Sequence, residues 1–255
     1  MYDFPEIREY TDALWSDVAA HLLQAGLLNV PEVLTRPTGP LVEHWLRPDL
    51  FMSHTCGYPV VRELTPAQHL LGSFSVVAGD PQLPGWYRSV LVCRSSDARG
   101  DDGLAAFSGA IVAANDDGSL SGWVSLGFAM SQVGIRPGGV RFSGGHEFSI
   151  AMVSDGSADM ACIDAHSFAL LSAHRPNCVG GLRILGYGPL IAVTPLFTAQ
   201  PELVDVLRAA VIAAVHGLSV EARAALMITG FVPHGREAFE PVRAMAMEAL
   251  TVLPI

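Results

Sequence analysis

In the stretch 6–25, apolar residues recur four apart at Leu14, Val18 and Leu22, with Trp15 and Ala19 beside them. This spacing lays one apolar stripe along a helix, and Gly26 ends it. Prolines at 31, 37 and 40 mark a loop before a short helix around Leu41–Trp45. Residues 49–53 read as a buried strand, left by the turn His54-Thr55-Cys56-Gly57-Tyr58-Pro59. Residues 70–77 and 87–94 read as two strands joined by the Pro- and Gly-rich loop 79–85. Beyond the polar segment 95–103 the alternation becomes regular. Strands at 110–114, 139–143 and 158–163 each lead into a helix, at 122–131, at 147–155 and from Asp164 to Ala173. Strands at 182–187 and 191–198 follow, and helices at about 201–216, 219–228 and 236–249 close the chain.

Strands alternating with helices predict an α/β protein with mixed, mainly parallel sheets flanked by helices. Its crossovers are right-handed, and ligands bind outside the carboxyl ends of the strands. The segment 95–103, and the stretch containing Gly186, Gly188 and Pro189, read as crossings between lobes. They divide the chain into a discontinuous lobe, 1–94 plus 191–255, and an inserted lobe, 95–190. Two such lobes closing on a ligand in the cleft between them is the expected geometry.

Half of the 255 residues are hydrophobic and only 16% are charged, which calls for a large buried core and argues against disorder. The net charge is −10, and every basic residue is an arginine. With no basic run or arginine cluster, nucleic acid is excluded as an expected partner. An anionic ligand remains compatible, provided the pocket supplies its own local positive field. The four cysteines (56, 93, 162 and 178) show neither CxxC nor metal-ligand spacing with histidine, and read as buried free thiols. No apolar run reaches the roughly 18 residues of a membrane span. The N-terminal Met-Tyr-Asp-Phe-Pro-Glu is acidic and lacks the cationic and apolar segments of a signal peptide. The chain as written is therefore expected in the cytoplasm, and in the periplasm if its start is truncated or misassigned.

The stretch Ala113-Ala114-Asn115-Asp116-Asp117-Gly118-Ser119-Leu120-Ser121-Gly122-Trp123 carries a strand into a helix. Backbone N–H groups, serine hydroxyls and the positive helix end then converge on one point, the physics of an oxyanion site. Three other turns of this kind face the same crevice if the sheet runs as inferred. Together the four contribute His54, Thr55 and Tyr58; Ser119, Ser121 and Gly122; Ser143, Gly144 and His146; and Asp164. Tyr87 and Arg88 begin a strand beside the 79–85 loop and bring an aromatic wall and the nearest cation. Each residue also has an ordinary role: Asp164 as an N-cap, Tyr58 and Tyr87 as core packing, Arg88 in a surface ion pair. His166 and His174 are expected to face solvent.

The motifs Tyr2-Asp3-Phe-Pro-Glu, Thr55-Cys56-Gly57-Tyr58, Tyr87-Arg88-Ser89-Val90-Leu91-Val92, Ser121-Gly122-Trp123, Ser143-Gly144-Gly145-His146 and Gly156-x-x-Asp159-x-x-x-x-Asp164 occur in this order. In this the chain resembles the phosphate/phosphite/phosphonate substrate-binding proteins of ABC transporters, over about residues 1–200. The resemblance implies the two-lobed type II periplasmic-binding-protein fold. It implies that Ser119, Ser121 and Gly122 hold oxyanion oxygens, that His146 contacts the same anion, and that Tyr58 and Tyr87 wall the cleft. Two departures stand out. Relatives usually carry an apolar strand before the Tyr-Asp turn, where this chain begins at Met1. The acidic residue with which aminophosphonate binders hold the ligand amine falls at about His166, which argues against an amine-bearing ligand.

The sequence thus predicts a solute-binding protein for a small phosphonate- or phosphate-like anion, working with an ABC permease and without catalytic residues, metal or cofactor. The ligand-binding set is Thr55, Tyr58, Tyr87, Ser119, Ser121, Gly122, Ser143, His146 and Asp164. Two alternatives remain: an enzyme on the same fold, like relatives in menaquinone or thiamin-pyrimidine biosynthesis, using His54, Cys56, His146 or Asp164; and a cytoplasmic ligand sensor.

Overall fold

The stripe of Leu14, Val18 and Leu22 is buried along α1 (Arg8–Gln24) in the computed structural model, which describes residues 2–253. In chain order there follow α2 (Leu41–Trp45), β1 (Ser53–His54), α3 (Gly57–Arg62), β2 (His69–Val76), β3 (Trp86–Arg94) and β4 (Ile111–Ala114). A π-helical turn, Leu120–Val124, runs directly into α4 (Ser125–Gln132). Next come β5 (Gly139–Phe142), α5 (His146–Asp155), β6 (Met160–Ile163), α6 (Ala165–His174), α7 (Pro176–Val179) and β7 (Leu182–Ala192). The chain closes with β8 (Pro195–Thr198), α8 (Val204–Gly217), α9 (Val220–Leu226), β9 (Ile228–Val232) and α10 (Pro241–Ala249).

The chain forms two compact units. The first comprises the chain up to Thr55, Arg62–Gly85 and Ala192–Ala238; the second comprises Cys56–Val61, Trp86–Ile191 and the residues from Phe239 onward. In the first unit four strands are ordered β1-β8-β2-β9, and β1–β8, β2–β8 and β2–β9 all pair antiparallel. Gly72 sits in a bulge of β2 at φ +140°, where an added Cβ would lie 2.3 Å from the Val232 carbonyl oxygen; only glycine fits. Helices α1 and α8 pack together, and Arg208 of α8 donates to the Leu70 and Leu71 carbonyls. No single helix among the described residues is long and apolar enough to cross a membrane. Pro201–Gly217 and Val220–Leu226 reach that length and composition only as a pair, bent by 110°.

The second unit holds a five-stranded sheet, β5-β4-β6-β3-β7, with β4 parallel to β5 and β6, and β3 antiparallel to β6. Its core joins Leu91 and Cys93 of β3, Val112 of β4, Leu126 and Met130 of α4, and Met160 and Cys162 of β6. Mainly parallel pairing therefore describes β5, β4 and β6, where helical crossovers return the chain in the same direction, and not the first unit.

Several expectations are corrected. The strand foreseen at 49–53 shrinks to Ser53–His54, because pairing with β8 begins at Ser53↔Phe197. Strand β3 lies between β6 and β7, so the expected boundary at 94/95 falls instead at 85/86. Strand β7 runs unbroken through Gly186, Gly188 and Pro189, because a sheet edge tolerates proline, and the passage expected at 190/191 falls one residue later, at 191/192. Helix α10 packs on α4, which moves the chain's end into the second unit. Helix α9, expected at 219–228, ends at Leu226, before Met227 at φ +52°, and an unforeseen strand, β9, follows it.

Candidate functional site

The strand order of the second unit decides which turns meet. Strands β4 and β5 are paired from Ile111↔Gly139 to Ala114↔Phe142, so the turns leaving their carboxyl ends are neighbours. Strand β6 flanks β4 on its other side, and the antiparallel β3 starts where β6 ends. Ser119–Gly122, Ser143–His146, Asp164 and Tyr87 thus all belong to one edge of one sheet.

At the β4 turn, the Asp116 carboxylate accepts from the Gly118 N–H (2.8 Å) and from Asn115 Nδ2 (2.9 Å). Ser119 then caps the π-helical turn, its Oγ accepting from the Gly122 N–H at 2.9 Å. The Leu120 N–H donates to the Cys56 sulfur at 3.2 Å. Two groups foreseen for an anion are therefore already engaged with each other: the Gly122 N–H and the Ser119 hydroxyl oxygen that caps the turn. Burial pushes the Cys56 thiol up, against the opposing pull of the Leu120 N–H, so the sulfur stays protonated.

At the β5 turn, Ser143 is consumed locally. Its hydroxyl donates to the Gly145 carbonyl (2.8 Å) and lies 2.7 Å from Ser149 Oγ, while its N–H donates to the Ala114 carbonyl. His146 opens α5, and no side chain caps that helix, in contrast to the Ser119 cap and the Asp164 cap of α6. Glu147, the acidic residue in that first turn, pairs with Arg175. The α5 N-terminus therefore keeps its donors and its positive end.

The two turns are joined by the Ser121 Oγ–His146 Nε2 hydrogen bond, at 3.1 Å. Burial holds the His146 imidazole below the ordinary histidine range, partly offset by the Asp164 carboxylate, so the ring is neutral near pH 7. His146 Nδ1 is shut off from solvent and has no hydrogen-bond partner; Asn115 Oδ1 and Ser125 Oγ are in the same condition. The first two, on adjoining turns, form a deficit of about 1–3 kcal/mol each, which a bound polar ligand or ordered water would cancel.

Asp164 is buried, accepts from the Ser167 N–H at 2.7 Å, and receives the Tyr87 hydroxyl at 2.5 Å. Tyr87 is itself only 1% exposed, so it orients a carboxylate instead of standing as an open wall. Tyr58 is half-buried at the start of α3 in the same unit. Thr55 belongs to the first unit, where its N–H donates to the Pro195 carbonyl, and His54 there contacts Thr194 at 2.7 Å. Arg88 donates to the Gly188 carbonyl. The structure thus brings Ser119, Ser121, Gly122, Ser143 and His146 together, with Asp164 and Tyr87 behind them.

Two residues escaped the reading of the sequence. Asn115 lies in the stretch carrying β4 into the helix but is absent from the expected ligand-binding set. His166, foreseen as solvent-facing, is 1% exposed and its ring is held down to about 4, first by burial. Its position one helical turn before the buried Leu170 was the available signal. His174 is half-buried. Cys56, Cys93 and Cys162 are buried free thiols as expected, whereas Cys178 is exposed.

A family model described as "ABC transporter, phosphonate, periplasmic substrate-binding protein" matches residues 48–249. No curated protein matches in sequence. Among solved structures, a binding-protein component of an ABC phosphonate transporter from Pseudomonas aeruginosa superposes with a TM-score of 0.73, at 16% identity, covering 96% of this chain and 83% of that one. PhnD1 of Prochlorococcus marinus, in complex with methylphosphonate, gives 0.69 at 13% identity, with 96% and 95% covered. A Xanthomonas citri protein bound to ATP gives 0.68 at 15% identity, with 96% and 94% covered. The fold is that of the type II periplasmic binding proteins.

Proposed function

The chain belongs to the family of periplasmic substrate-binding proteins of phosphonate ABC transporters, and on that premise we propose that it captures a small phosphonate- or phosphate-like oxyanion for such a transporter. The observation that carries this reading is the unpartnered His146 Nδ1, beside an uncapped helix start and the Ser121 hydroxyl. With Ser121 donating to Nε2, the neutral ring carries its proton on Nδ1 and offers it to an anion oxygen. Hydrogen bonds to a charged oxygen contribute on the order of 1.5–3 kcal/mol each, and a partly buried helix start up to about 2. Three or four such contacts support micromolar binding, about −8 kcal/mol after association losses, without a lysine.

Calorimetry with phosphate, phosphite, methylphosphonate and sulfate is the test. At least one should bind, and Ser121→Ala should weaken that ligand about tenfold while the protein still melts cooperatively. Silence with all four anions would remove the proposal. The ATP-bound Xanthomonas neighbour favours a second reading, in which the tetrahedral group belongs to a nucleotide. ATP in the same panel separates the two.

The family's description supports an ABC permease as partner and a periplasmic location, and lends no support to a cytoplasmic one. Fractionation of the source cells with the chain expressed from its native reading frame decides between them.

A further inference from the structure

Two contacts tie the turn at Ser119–Trp123 to the turn at Phe142–His146. One is the Ser121–His146 hydrogen bond at 3.1 Å. The other is the tilted Trp123–Phe142 ring pair, with centroids 5.2 Å apart and planes at 57°. A polar pair and an aromatic pair therefore bridge the same two turns. Trp123 is buried, but Phe142 leaves 54% of its surface open. On the other side of His146, Phe148 is also 54% exposed, and its ring lies over Gly145, where an added Cβ would come within 3.2 Å of it. The polar side chains in between are already committed: Ser143 to Gly145 and Ser149, and Glu147 to Arg175. Beside His146, therefore, two aromatic rings face outward together with the exposed Arg141. Apolar rings beside a few convergent polar groups are the composition of a small-molecule site.

Resting on the anion site proposed above, we infer that the ligand is an organic phosphonate or phosphate ester with an apolar substituent, alkyl or aryl, that lies against Phe142 and Phe148. The head group meets His146, which Ser121 holds in place, and the substituent covers the rings. An inorganic ion would fill only the polar half.

Calorimetry with phenylphosphonate, methylphosphonate, 2-aminoethylphosphonate and inorganic phosphate tests this on the wild type, Phe142→Ser and Phe148→Ser. Phenylphosphonate should bind at least about tenfold more tightly than phosphate. Each serine variant should lose roughly five- to tenfold for phenylphosphonate and stay within about twofold for phosphate. Both rings are half-exposed, so the variants should melt like the wild type; Phe142→Leu, which keeps an apolar side chain, should restore part of the loss. Equal affinity for phenylphosphonate and phosphate, or phenylphosphonate binding unchanged in both variants, overturns the inference while leaving the anion site standing. A wild type that sediments as a dimer and a Phe148→Ser variant that sediments as a monomer also overturns it, assigning the rings to a second copy of the chain. Silence with all four ligands overturns the anion site itself, and this inference with it.

Discussion

An added Cβ at Gly122 would lie 2.0 Å from Asn115 Oδ1 and 3.2 Å from Ser119 Oγ. Asn115 cannot simply turn away, because its Nδ2 is tied to Asp116, so a side chain at 122 must break the turn that presents Ser121. Gly122→Ala should cost about 1–3 kcal/mol and abolish anion binding, read from urea midpoints and calorimetry. An alanine variant of wild-type stability would show that the close approach is not needed. His166 makes a separate statement about pH. Its ring is held down to about 4 by burial, against an opposing pull from Asp164, whereas the unfolded chain titrates near 6.5. The unfolded state binds the extra proton, so this stability is complete above pH 6.5 and lost as pH falls toward 4. Between pH 7 and 5 the loss is about 2 kcal/mol. His166→Asn should flatten that part of the pH dependence; an equally steep fall in the variant would assign it elsewhere, first to His146, whose ring is shifted the same way. Turn composition made Ser121 and His146 visible in the sequence, since small and polar residues at a helix start have a physical reason to be there. Asn115 was not visible, because its role depends on a carbonyl oxygen resting on a glycine seven residues later.

Strands and helices with their own periodicity were legible to within a residue or two: α1, α2, β2, β3, β4 and α5 all lie where the apolar pattern puts them. The failures share one cause, which is that a partner strand or helix overrode local pattern. Strand β9 exists because β2 offers it an edge, with Val76↔Ile228 and Phe74↔Phe231 in register, and nothing local distinguishes it from the end of α9. Strand β7 continues through two glycines and a proline because it lies beside β3 at the sheet's edge. Helix α10 is held in the same long-range way. Gly127 of α4 leaves room for it, since an added Cβ there would lie 2.5 Å from Leu253 Cδ1 and 2.9 Å from Ala249 Cβ. Glu248 accepts from Ser131 at 2.9 Å and from Gln132. Leu253 is 4% exposed, so Leu253→Ala should lower stability by about 2–4 kcal/mol and speed hydrogen exchange in both α10 and α4. Faster exchange in α10 alone would mean that α4 does not depend on this contact.

The two-unit organisation of the molecule was readable from the alternation of strands and helices, and so was the passage at 191/192, one residue beyond the expected 190/191, but the earlier passage was not. Composition pointed to 95–103, the most polar and glycine-rich stretch, whereas contacts place the passage at 85/86, before a strand the second sheet requires. Polarity marks a surface loop, and here that loop is knitted into its own unit. Asp97, Arg99 and Asp159 form a chain of ion pairs at 2.7 and 2.6 Å, and Asp159 also accepts from the Ile111 N–H at the start of β4. The expected inserted lobe, 95–190, is therefore missing two things the fold depends on. Without β3, β6 loses its antiparallel partner and β7 loses the strand that joins it to the sheet, leaving two unpaired edges and the core without Leu91 and Cys93. Without α10 and Leu253, the Gly127 face of α4 stands bare. A 95–190 fragment expressed alone should show no cooperative thermal transition and should aggregate, while the full chain melts cooperatively. A fragment with native-like circular dichroism and a single sharp transition would mean that the sheet is stable without its antiparallel strand, and that the passage at 95–103 was the correct one after all.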